Sequence, residues 1–173
     1  VKLEFGDLHP KQPIDYQVAL IKKMGVDFEE IAPSVHIPES AHTKADKLLL
    51  SIGIDPHESF CILHPGAKPY DRWEDEKFAQ LADQIYAQHH MKTLWTCGPG
   101  QERMVDNITP KIKNAPYAFI STNLETLGAI TQKAQFVVCH DGGYMHFASA
   151  LGIPVVGLFG WTNPEIWRPP GKN

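Results

Sequence analysis

From Phe60 onward, apolar runs of four or five residues alternate with longer segments whose apolar residues recur at helical spacing. Phe60–Leu63, Thr93–Cys97, Tyr117–Ile120, Phe136–Cys139 and Val155–Phe159 are the short runs. They carry no alternating polar face, which suits strands covered on both sides, as in a parallel sheet. Between them, Trp73–His90 places Phe78, Leu81, Ala82, Ile85 and Tyr86 on one helical face. Gln101–Ile112, Asn123–Lys133 and Tyr144–Leu151 read as further helices, the last closed by Gly152 and barred from continuing by Pro154. Strands separated by helix-length segments predict an α/β fold, a doubly wound parallel sheet with right-handed crossovers.

Residues 1–59 lack that rhythm. Asp15–Gly25 reads as a helix with an aspartate N-cap and a terminating glycine, and Ala41–Ile52 as a second that stops at Gly53. Pro33 and Pro38 mark a crossing segment between them. The expectation is therefore that 1–59 is the end of an N-terminal domain plus an interdomain connector with packing helices. Residues 60–173 would then form the ligand-binding domain.

In such a sheet every turn that follows a strand lies on one edge, where ligands bind. His64–Trp73, Gly98–Glu102, Ser121–Leu124, Asp141–His146 and Gly160–Trp167 should therefore converge. The central unit is Phe136–Trp167, read as strand, glycine turn, helix, strand and loop. It offers backbone N–H groups and the positive end of a helix dipole at that edge, an anion site by construction.

Composition narrows the setting. With 173 residues the chain can bury roughly 70% of its unfolded surface. A formal charge of −4 gives no general attraction to nucleic acid or anionic lipid, so any basic site is local. The three cysteines, Cys61, Cys97 and Cys139, all fall in or beside predicted strands, which argues for a reducing compartment. No apolar run reaches 18 residues and Val1–Glu4 is no signal peptide, so a soluble cytoplasmic domain is expected. The missing initial methionine and the terminal Arg168-Pro169-Pro170 loop predict a piece of a longer protein, truncated at its C-terminus.

Among the loop residues, Gly142-Gly143 lets the backbone approach a ligand without a Cβ in the way. The plainer alternative is that Asp141 caps the helix and the glycines make a tight turn. Lys68 and Arg72 suit a diphosphate, or simply a solvated loop that also holds Asp71, Glu74 and Asp75. Glu102, in the first turn of its helix, could accept hydrogen bonds from ribose hydroxyls or serve only the helix dipole. His146, one turn into its helix, reads equally as a phosphate partner or a packed histidine. Nine histidines show no metal-ligand spacing, so no metal site is expected.

Five motifs stand in order: His64-Pro65-Gly66-Ala67 with Arg72-Trp73, the Gly98–Glu102 loop, Leu124-Glu125-Thr126-Leu127, Asp141-Gly142-Gly143-Tyr144-Met145-His146, and Leu158-Phe159-Gly160-Trp161-Thr162. Together they resemble glycosyltransferase family nine, the ADP-heptose:lipopolysaccharide heptosyltransferases, from about Phe60 to Arg168. The resemblance implies the GT-B architecture of two Rossmann-like domains, of which this chain would be the C-terminal, donor-binding half. It implies inverting, metal-independent transfer of heptose from ADP-heptose to the lipopolysaccharide inner core, with no cofactor. The setting would be cytoplasmic, on the inner face of the inner membrane. Lys68, Arg72, Gly142, Gly143 and His146 would hold the diphosphate, with Arg72 and His146 stabilising the leaving group. Asp141 would hold sugar hydroxyls, Glu102 the ribose, and the turn with Thr122 and Leu124 the adenine; the general base would lie in the N-terminal domain. Two departures stand out: Arg72 replaces a common lysine, and Gly142 a common threonine. Other readings are a GT-B enzyme using another nucleotide sugar, including an epimerase, and a non-catalytic nucleotide-binding module.

Overall fold

The computed structural model describes residues 12–26, 33–66 and 72–170. Two helices come first: α1, Pro13–Lys23, and α2, Glu39–Ser51. Then follow β1 (Phe60–His64), α3 (Asp75–His89), β2 (Lys92–Thr96), α4 (Glu102–Ile108), β3 (Tyr117–Ile120), α5 (Leu124–Thr131), β4 (Val137–His140), α6 (Gly143–Ala150), β5 (Val155–Leu158) and the short α7 (Pro164–Trp167). Strand order is β3-β2-β1-β4-β5, with every pairing parallel. The doubly wound sheet expected from the alternating pattern is the one observed.

The period-2 alternation of the strands divides the core into two layers. Phe60, Ile62, Leu94, Val137 and Cys139 pack with α2, α5 and α6 on one face. Cys61, Leu63, Trp95 and Val138 pack with Phe78, Ala82, Ile85 and Val105 of α3 and α4 on the other. α2 belongs to the first layer through Ala41, Ala45 and Leu49, all buried.

Several boundaries differ from the sequence reading, each for a local reason. Asp15 is not an N-cap. Pro13 opens α1, and the Asp15 carboxylate reaches back to accept the Gln12 N–H at 2.9 Å, so it serves from the first turn. α4 ends at Ile108 instead of running to Ile112, because Pro110 cannot donate to the helix ladder; Thr109–Lys111 tightens into a 3-10 turn. His90 leaves α3 in the left-handed conformation, φ 52°, and closes it where the sequence reading extended the helix. β5 is not fully buried. It is an edge strand, and Val156 is 52% exposed because its side chain points away from the layer containing α6.

Candidate functional site at the carboxyl edge of the sheet

Strand order reverses between β1 and β4: α3 leaves β1 toward one face, and α6 leaves β4 toward the other. The crevice of a doubly wound sheet opens at this point. Two histidines end the two strands, His64 on β1 and His140 on β4, both buried.

The N-terminus of α6 forms the floor. Gly142 is the N-cap and Gly143 the first helical residue, so the first amides of the helix have no acceptor within it. Neither glycine is demanded by the fold. Gly142 has φ 169°, an extended value open to any residue, and a Cβ there would meet nothing nearer than the His140 carbonyl at 4.0 Å. A Cβ at Gly143 would meet nothing within 4 Å. The tight-turn reading of this pair therefore lacks a basis, and the space above both is open. Asp141 does not cap the helix: no side chain makes the N-cap bond, and the Asp141 N–H is committed to the Leu158 carbonyl at 3.0 Å.

A buried polar chain anchors the start of α6. The Tyr144 ring stacks on His64, centroids 4.3 Å apart. Thr131 Oγ1 donates to the Leu127 carbonyl at 2.7 Å, so the Tyr144 hydroxyl at 2.8 Å is the donor toward Thr131. His64 Nδ1 lies 2.8 Å from Thr96 Oγ1. Burial, with His140 as a second cause, pushes the His64 pKa down to about 4, so the ring is neutral near pH 7. Burial likewise raises Tyr144, keeping its phenol protonated. The thiols of Cys61 and Cys139 are pushed up to about 12 and that of Cys97 to about 11, burial being the largest cause in each. None offers a thiolate nucleophile.

On the opposite side of the crevice, Arg72 precedes Trp73 at the entry to α3. Asp75 ion-pairs one end of its guanidinium, while Nε is buried without a hydrogen-bond partner among the described residues. The Trp73 backbone N–H donates to His140 Nε2 at 2.7 Å, which brings the Arg72 loop beside the Asp141–Gly143 turn. Lys68 lies outside the described residues. Glu102 opens α4 and accepts the Gly100 N–H at 3.3 Å. Gln101 crosses toward β1, close enough that a Cβ on Gly66 would lie 2.5 Å from its Oε1. Thr122 and Leu124 stand beyond β3, three strand spacings or about 14 Å from β4; Leu124 is 60% exposed.

His146 is not packed into the core. It is exposed on the outer side of α6, where it lines a cleft of about 260 Å³ with Gln12, Gln17, Trp167 and Arg168. The candidate residues thus form two arms about one crevice, Arg72 and the Asp141–Gly143 turn. Glu102, Thr122 and Leu124 extend along the edge, and His146 stands to the side. The sequence reading gave neither His64 nor His140 a role and missed Thr96, Thr131 and Tyr144 as a network. Polar side chains ending otherwise apolar strands were the available signal.

Among the described residues no group of three or more His, Cys, Asp or Glu could hold a metal ion. Nor is any described helix long and apolar enough to cross a membrane.

The model of glycosyltransferase family 9 (heptosyltransferase) matches residues 11–173. Lipopolysaccharide heptosyltransferase 3 of Escherichia coli K12 is 24% identical over 171 residues, covering 96% of this chain and 49% of that protein. The crystal structure of a family 9 glycosyl transferase from Veillonella parvula superposes with a TM-score of 0.82 at 24% identity, over 98% of this chain and 49% of that one. E. coli heptosyltransferase WaaC with ADP superposes with a TM-score of 0.65 at 18% identity, over 92% and 48%. The chain spans about half the length of the relatives it matches.

Proposed function

Because this chain belongs to glycosyltransferase family 9, the heptosyltransferases, we propose that it is the donor-binding half of an enzyme that moves heptose from ADP-heptose to the lipopolysaccharide inner core. The observation that carries this reading is the α6 N-terminus at the strand-order reversal. Its two glycines answer to neither backbone strain nor packing, and they leave free amides beneath open space. An anionic ligand is what such a floor suits. The relative solved with ADP shares the fold and adds the ligand class.

In this reading residues 60–173 hold the nucleotide sugar and residues 1–59 lead in from the other domain. Transfer is inverting and uses no metal, so the charge that develops on the leaving diphosphate meets protein donors already in place. The Gly142 and Gly143 amides supply two, and the Arg72 guanidinium supplies a third from the opposite arm. His146, on the outer side of α6, reaches the diphosphate by turning about its side-chain bonds. Lys68 adds charge from the same loop as Arg72. Asp141 holds sugar hydroxyls and Glu102 the ribose, with Thr122 and Leu124 lining the adenine end. The general base comes from the other half of the protein. The reaction takes place on the cytoplasmic face of the inner membrane.

Calorimetric titration with ADP, UDP and GDP, without divalent metal, tests the assignment. Selective ADP binding that weakens at least tenfold in Arg72→Ala is expected, since each charge-assisted hydrogen bond contributes about 1.5–3 kcal/mol. Preference for UDP would move the assignment to another nucleotide-sugar enzyme. Gly142 makes that outcome worth measuring, because a hydroxyl donor is absent where family members often carry threonine.

A further inference from the structure

We infer that His140 is a positioning residue for the diphosphate site, holding the Arg72 loop across the crevice from the α6 N-terminus. The inference rests on Arg72 as a diphosphate ligand and deepens that reading. His140 is the last residue of β4 and adjoins Asp141; Trp73 adjoins Arg72. The 2.7 Å bond from the Trp73 N–H to His140 Nε2 therefore ties the two arms of the site directly, across 67 residues of sequence. A backbone donor requires a lone pair on Nε2, so the proton of a neutral ring sits on Nδ1. The ring plane is set from α3: Phe78 meets His140 edge-on at 5.4 Å and Trp73 edge-on at 5.2 Å. Asp75 fixes the guanidinium from its own side. The side chain and the backbone beside Arg72 are thus held by different partners, Asp75 and His140, and the His140 bond links that backbone to the α6 arm. A ligand bridging both arms needs that spacing kept.

Titration with ADP of the protein and of His140→Ala, His140→Gln, Arg72→Ala and the His140→Ala/Arg72→Ala double variant separates the alternatives. His140→Ala should weaken binding about tenfold, close to the effect of Arg72→Ala, and the double variant should be no weaker than Arg72→Ala alone. His140→Gln, whose Oε1 can accept the same N–H, should return affinity to within about twofold. Thermal melting checks that each variant is folded. If His140→Ala is not, His140→Asn, polar but too short to reach, takes its place with the same expected loss. Additive losses, or parental affinity in the Ala or Asn variant while Arg72→Ala is weakened, overturn the inference. If Arg72→Ala itself binds ADP normally, the diphosphate reading fails and takes this inference with it.

Discussion

Gly143 separates binding from folding at a single atom. A Cβ there meets no protein atom within 4 Å, and the residue is already helical, so Gly143→Ala should hold or raise stability by about 0.4–1 kcal/mol. The same methyl stands over the proposed diphosphate floor and should weaken ADP binding. A melting curve together with a titration checks both halves, and unchanged affinity would remove the floor from the site. His64 supplies a second residue-scale prediction. Its pKa is about 4 in the folded chain against 6.5 for the ordinary ring, so between those values the unfolded chain binds more protons. Stability should be full above pH 6.5 and fall as pH drops toward 4, by on the order of 3 kcal/mol. Urea midpoints across that range should show this slope, and His64→Asn should flatten it. The residue types at the edge were legible in the sequence. The pairing of His140 with Trp73 was not, since such a bond leaves no periodic trace.

Elements were more legible than their ends. All five strands were foreseen because each is a short apolar run between helical faces, and β3 matches to the residue. Helix ends moved where one side chain or one proline decided them, as at Pro110 in the turn after α4 and Asp15 in α1. The sequence reading began the helix of α5 at Asn123, which the structure makes its N-cap. Asn123 Oδ1 accepts the Thr126 N–H at 2.9 Å. Asn123→Ala should cost about 1 kcal/mol of stability, read from a urea midpoint at unchanged slope. The edge position of β5 was illegible because an apolar run does not say which faces its neighbours cover. Val156 shows the difference, apolar by type yet more than half exposed.

At the scale of the molecule, strand order turns a list of motifs into a site. The order β3-β2-β1-β4-β5 sets Thr122 and Leu124 at one end, Glu102 next, and Arg72 beside Gly142 at the reversal. An elongated nucleotide sugar laid along this edge would place its base toward β3 and its diphosphate between β1 and β4. The proposed reading puts the general base in the other half of the protein, and the chain spans about half the length of its relatives. Donor binding and turnover should therefore come apart. ADP at about a hundred times its Kd should stabilise this chain by about 2.7 kcal/mol, seen as a rise in melting temperature. The same chain, given ADP-heptose and an inner-core acceptor, should release no ADP above the rate without protein. Supplying the other half of the protein should then restore transfer. Turnover by this chain alone would show instead that the base lies among these residues, with Asp141 the first carboxylate to replace.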